Sequence, residues 1–121
     1  FSDGKLYTRS HKRGSIERIL QILYLHGASE EILIDAHPHV GTNKLPAVIQ
    51  AIRETITSCG GEVRFNSKVI EITKDTSGVS GVKLASGEAI RSSAIILATG
   101  HSARDVFSML HTSGVTIEAK P

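Results

Sequence analysis

Apolar residues recur along this chain in two different periods. Ile16, Ile19, Leu20 and Leu23 fall at helical spacing. Ser15 suits the N-cap position, Glu17 opposes the helix dipole in the first turn, and Gly27 suits the position just past the end. The pattern predicts a helix over 16–26. Leu45, Val48, Ile49, Ile52 and Ile56 make a second stripe, with Thr42 or Asn43 as cap and Gly60-Gly61 as stop. Pro46 falls in the first turn of that helix, where its missing N–H costs little. Gly4 and Gly14 punctuate a loop at 1–14. Between the two helices the pattern reads as a short turn from Ser29, a strand at 32–34 and a loop over 35–42 with Pro38 and Gly41.

Past Gly61 the period shifts to that of strands. Residues 62–65 read as a short strand and 68–73 as a β-branched one. Asp75-Thr76-Ser77-Gly78 is a turn, 79–84 a strand with Val82 and Leu84 on one face, Ser86-Gly87 a second turn, and 89–91 the next strand. The run at 94–98 has no polar alternation, which predicts a strand covered on both faces as in a parallel sheet. Residues 103–110 read as a helix capped by Ser102, and 115–117 as a last strand. The fold class expected is mixed α/β (α+β) with about three helices and a β-meander. There is no internal repeat.

Composition narrows the function classes. With 121 residues, 40% hydrophobic and 21% charged, the chain has enough apolar surface to form a core, so intrinsic disorder is not expected. No apolar run approaches the roughly 20 residues of a membrane helix, and no signal peptide is visible. The lone Cys59 rules out an internal disulfide and suits a reducing, cytoplasmic setting. It follows a helix, where a thiol gains no acidity, so it reads as structural. The net charge of +2 has a local source in Lys5, Arg9, Lys12 and Arg13, with His11 among them. Such a cluster opens the alternative of a non-catalytic interaction or nucleic-acid-binding module acting through residues 9–13. His37 and His39 lack a third ligand, so no metal site is expected. The start at Phe1, with no initiator Met, reads as a piece of a longer parent.

The stretch 94–105 is the most informative for chemistry. An apolar run enters a tight Thr99-Gly100 turn and a helix follows. That arrangement suits a phosphate or a flavin edge, while the local physics alone favours an ordinary strand-to-helix turn with Ser102 as its cap.

The string Ala98-Thr99-Gly100-His101-Ser102-Ala103-Arg104-Asp105 resembles the FAD-dependent dehydrogenase, or NAD(P)/FAD-dependent oxidoreductase, group within the glutathione-reductase-like flavoproteins. Phe1-Ser2-Asp3-Gly4-Lys5-Leu6 resembles that group's loop after its first nucleotide-binding unit. His37-Pro38-His39-Val40-Gly41-Thr42 with Leu45 is similar to its KPHIGTDxL segment, with His37 in place of Lys. Gly60-Gly61-Glu62-Val63 is similar to the strand before its meander. The resemblance implies a middle fragment of a flavoprotein nucleotide-binding domain containing a buried ATG strand. In that reading 1–14 is a flavin-side loop, 15–43 an inserted or substrate-side element and 44–121 part of the FAD-binding domain.

The implied cofactor is FAD, with NAD(P) possible, held in the parent chain. Thr99 and Gly100 would line it, backbone groups at Lys68 and Val69 would meet its adenine at a strand start, and Ser2, Asp3, Gly4 and Lys5 would lie near the flavin. His101 is the candidate for catalytic acid–base chemistry. The implied partners are the remainder of the parent flavoprotein and a small-molecule substrate. One departure matters: the G-x-G-x-x-G turn that holds the FAD pyrophosphate is absent from this sequence. The chain alone is therefore expected to be inactive and to bind FAD poorly.

Overall fold

The computed structural model describes residues 4–6, 14–35 and 37–118. The chain divides into two compact units, Phe1–Val63 and Arg64–Pro121.

In the first unit, helix α1 spans Ile16–Leu25 and helix α2 spans Leu45–Ser58. The Ser15 hydroxyl accepts the Arg18 N–H at 3.1 Å and so caps α1 as its sequence predicts. The core is Ala28, Ile32, Val40 and Val48, with Leu20, Leu23, Leu45 and Ile52 packed against it. His26 ties the helices together: its Nδ1 lies 2.6 Å from the Ile22 carbonyl and its Nε2 3.0 Å from the Thr55 hydroxyl. A carbonyl only accepts, so Nδ1 carries a proton and donates to Ile22.

Two expectations for this unit need correction. Residues 32–34 form no strand; a 3₁₀ turn spans Glu30–Leu33 instead. Ile32 is 2% exposed while Ile34 is 84% exposed, so the run offers one inward residue per turn and no buried face for a strand. Neither Thr42 nor Asn43 caps α2. Lys44 is its N-cap without a side-chain bond, and the Gly41 carbonyl begins the turn by accepting Leu45 N–H at 3.0 Å.

The second unit holds strands β1 (Val69–Asp75), β2 (Gly78–Leu84) and β3 (Ala89–Arg91), followed by helix α3 (Arg104–Thr112). The strands form one antiparallel meander in the order β1-β2-β3. Ile72 faces Val82, and Val82 faces Ile90. The first hairpin turns at Asp75, whose carboxylate accepts the Ser77 N–H at 2.7 Å. Gly81 is buried in mid-strand, where a side chain would run into the Ile90 carbonyl oxygen. Helix α3 packs on β1, and Lys74 Nζ donates to the Ser113 carbonyl at 2.7 Å. Leu84 and Leu110 are the buried apolar side chains here.

Helices α1, α2 and α3 end alike. The N–H groups of Ala28, Gly61 and Val115 reach back to the carbonyls of Leu23, Ile56 and Leu110, and each helix has a glycine at positive φ just past its C-cap.

The meander is as expected, but three predicted strands are not formed. Residues 62–65, 94–98 and 115–117 carry no ladder among the described residues. The run at 94–98 is not covered on both faces, since Ile96 is 94% exposed. Apolar composition supplies a reason to be buried, while a strand also needs a neighbour for its backbone groups. Nor does Ser102 cap α3 with its side chain; Ala103 is the N-cap, and the Ser102 hydroxyl lies 3.2 Å from His101 Nε2.

Candidate functional site

A cavity of about 350 Å³ lies within the second unit. Val69, Ile72 and Val82 of the sheet form one wall and Val106 and Met109 of α3 another. Residues 95–99 close the third side, with Ile95 half-buried. Strict alternation would put Val69 and Ile72 on opposite faces of β1; the register shift between Val69 and Glu71 lets both line the cavity, opposite Val106 and Met109, three apart on α3.

Charge enters this cavity only through Lys68 and Asp105 among the described residues. Lys68 Nζ lies 2.9 Å from Asp105 Oδ2, and both side chains are more than half exposed, at 65% and 59%. The Lys68 hydrogen bond and charge hold the Asp105 carboxyl below the usual carboxylate range, with smaller help from the backbone N–H groups of Val106 and Asp105 itself. A shallower depression of about 620 Å³ also runs along β1 and α3, past Glu71, Lys74, Ser108 and Thr112. Its lining is mixed, with Ile70, Ile72 and Met109 among polar side chains, and it is more open than the first cavity.

The residues singled out from the sequence divide as follows. Lys68, Val69 and Thr99 line the 350 Å³ cavity together, although far apart in the chain. Gly100 and His101 follow Thr99 in sequence and lie outside that lining. Gly4 and Lys5 belong to the first unit, where Val40 N–H donates to the Gly4 carbonyl at 2.9 Å and Lys5 bridges to His39. The two short segments that carry part of the resemblance, at the N-terminus and at 37–42, are thus hydrogen-bonded to each other. Ser2, Asp3 and the basic residues 9–13 lie outside the described residues.

Asp105, Val106 and Met109 are among the lining residues that the sequence reading did not assign to a site. The spacing of Val106 and Met109 was a usable signal, because residues three apart on a helix share a face. Asp105 gave none, since its cation comes from a distant strand start. No group of three or more His, Cys, Asp or Glu that could hold a metal occurs among the described residues, and none of their helices is long and apolar enough to cross a membrane.

No family model matches the chain. It is similar to an uncharacterized protein of Clostridium beijerinckii, at 42% identity over 120 residues, which is 99% of this chain and 22% of that protein. The chain therefore spans about a fifth of the length of the curated relative it matches.

Proposed function

We propose that this chain is a section of an FAD-dependent oxidoreductase, in which hydride passes between a substrate or NAD(P)H and the flavin. One observation carries the reading: Lys68 and Val69, matched to one flavoprotein segment, and Thr99, matched to another, line a single apolar cavity. The lining fits one end of such a cofactor. Branched aliphatic walls suit a flat ring, the Thr99 hydroxyl offers a hydrogen bond, and Lys68 offers a positive charge at the rim. At about 350 Å³ the cavity is small for a whole dinucleotide, and the sequence has no G-x-G-x-x-G turn for the pyrophosphate. The remainder of the longer protein supplies that turn in this reading.

When bound, the flavin supplies the electron-pair chemistry. The chain's own residues would bind one end of the cofactor and exclude water there: Val69, Ile72, Val82 and Met109 would shield its adenine, and Thr99 would offer a hydrogen bond. His101 is the residue that would take up or release a proton at Nε2, the atom now beside the Ser102 hydroxyl.

The test is the absorption spectrum of the protein produced at its full natural length, followed by denaturation to release bound cofactor. A flavin band with FAD in the released fraction supports the reading. A colourless protein that stays empty after FAD is added overturns it.

A further inference from the structure

The cavity and its rim disagree in polarity. Its walls are aliphatic, yet its mouth carries one cation and one anion in direct contact. A purely apolar ligand has no use for either charge. Asp105 keeps the backbone N–H groups of Val106 and of its own residue when its cation is drawn away, so Lys68 is the group left to take a new partner, and that partner is anionic. An aromatic ligand with an anionic substituent satisfies both parts: the ring takes the aliphatic walls and the anion takes Lys68. Asp105 then stands where the ligand's own anion would go.

We propose that Asp105 is an internal stand-in for the anionic group of the cavity's ligand, and that binding exchanges the Lys68–Asp105 pair for a Lys68–ligand pair. This rests on the cavity being the ligand site, as proposed above, and adds a residue that sets the required charge. The pair suits exchange because it is exposed on both sides, and exposed ion pairs are weak enough for an incoming anion to replace. Removal of Asp105 therefore tightens anionic ligands, since Lys68 no longer has an occupant to give up. Removal of Lys68 weakens them. Neither change alters how a neutral ring is held. Asp105 acts through Lys68 and is a positioning residue.

Two fluorescent probes separate these effects. 8-Anilinonaphthalene-1-sulfonate and N-phenyl-1-naphthylamine share their rings and differ by the sulfonate. Both are titrated into the flavin-free chain and into its D105N, K68Q and E71Q variants. Glu71 lies on β1 outside the cavity lining and controls for the change in overall charge. D105N is expected to tighten the sulfonate probe about two- to fivefold and K68Q to weaken it by a similar factor, in line with an exposed pair. The neutral probe and E71Q should show no such change. If both probes shift together, if E71Q matches D105N, or if the sulfonate probe ignores or fails to bind every form, the proposal is overturned. K68Q keeps the test decisive should D105N disturb the first turn of α3. Because the probes are not flavins, the two readings fail separately. A protein free of flavin that shows this pattern keeps the exchange and loses the cofactor reading. A flavin-bearing protein whose probe affinities ignore both substitutions does the reverse.

Discussion

Asp105 is a side chain whose titration its surroundings visibly alter. A carboxyl held below its unfolded value stabilises the fold while it is charged. That contribution is present above the unfolded pKa and is lost as pH falls through the folded one. Followed by NMR, Asp105 should titrate below an unstructured aspartate, and K68Q should move it back up. Gly81 makes a different single-residue prediction. A methyl group there meets the Ile90 carbonyl, so Gly81→Ala should cost about 1–3 kcal/mol in chemical denaturation of the chain. Local signals of this kind are legible in the sequence when cause and effect are neighbours. Ser15 and Gly27 could be read because a cap acts within four residues. The role of Asp105 could not, because its partner Lys68 reaches it only after the meander has folded.

Helices and hairpins were readable to different degrees. The helices α1 and α2 carry long apolar stripes, and each stops where a glycine follows. The meander was readable because Asp75 and Ser86-Gly87 mark its turns. Short apolar runs misled, as at 32–34 and 94–98, since such runs fit a strand, a 3₁₀ turn or an irregular segment equally well. The stripe on α2 also overstates the buried face: Val48 is 1% exposed, whereas Ile49 is 56% exposed. Substitutions should follow this division. Ile32→Ala should destabilise the chain by about 2–4 kcal/mol, since it empties a buried site. Ser15→Ala should cost about 1 kcal/mol through the lost cap. Ile96→Ser should stay within about 0.5 kcal/mol of the parent chain despite its apolar run. Thermal and denaturant melts of the three variants would check this order.

At the scale of the whole molecule, the sequence reading obtained the α+β class and the meander, and it flagged three lining residues of one cavity through resemblance. Hydrophobic periodicity alone would not have joined Lys68 to Thr99, because periodicity reports faces of single elements and not which elements meet. The absence of a glycine fingerprint is a whole-chain property with its own consequence. If the proposed reading holds, the 121-residue chain titrated with FAD should show weak, incomplete binding, because the cavity has room for only one end of the cofactor and the sequence has no G-x-G-x-x-G turn for the pyrophosphate. Calorimetry giving a tight one-to-one complex would contradict this. Full-length protein should retain FAD through gel filtration where the shorter chain does not.

The small antiparallel contact in the first unit bears on how the chain comes together in time. Leu6 N–H reaches the Pro38 carbonyl at 2.9 Å and Val40 N–H the Gly4 carbonyl at 2.9 Å, closing a loop that contains all of α1. Bringing ends so far apart in sequence to one point costs chain entropy on the order of 3 kcal/mol, a cost that the helices, built from neighbouring residues, do not carry. Its closure therefore follows the local helices in folding, and it opens before them when the unit loosens. In deuterium exchange, the amides of Leu6 and Val40 should become labelled sooner than that of Ile52 inside α2. The same opening would uncover Val40 while both helices stay wound.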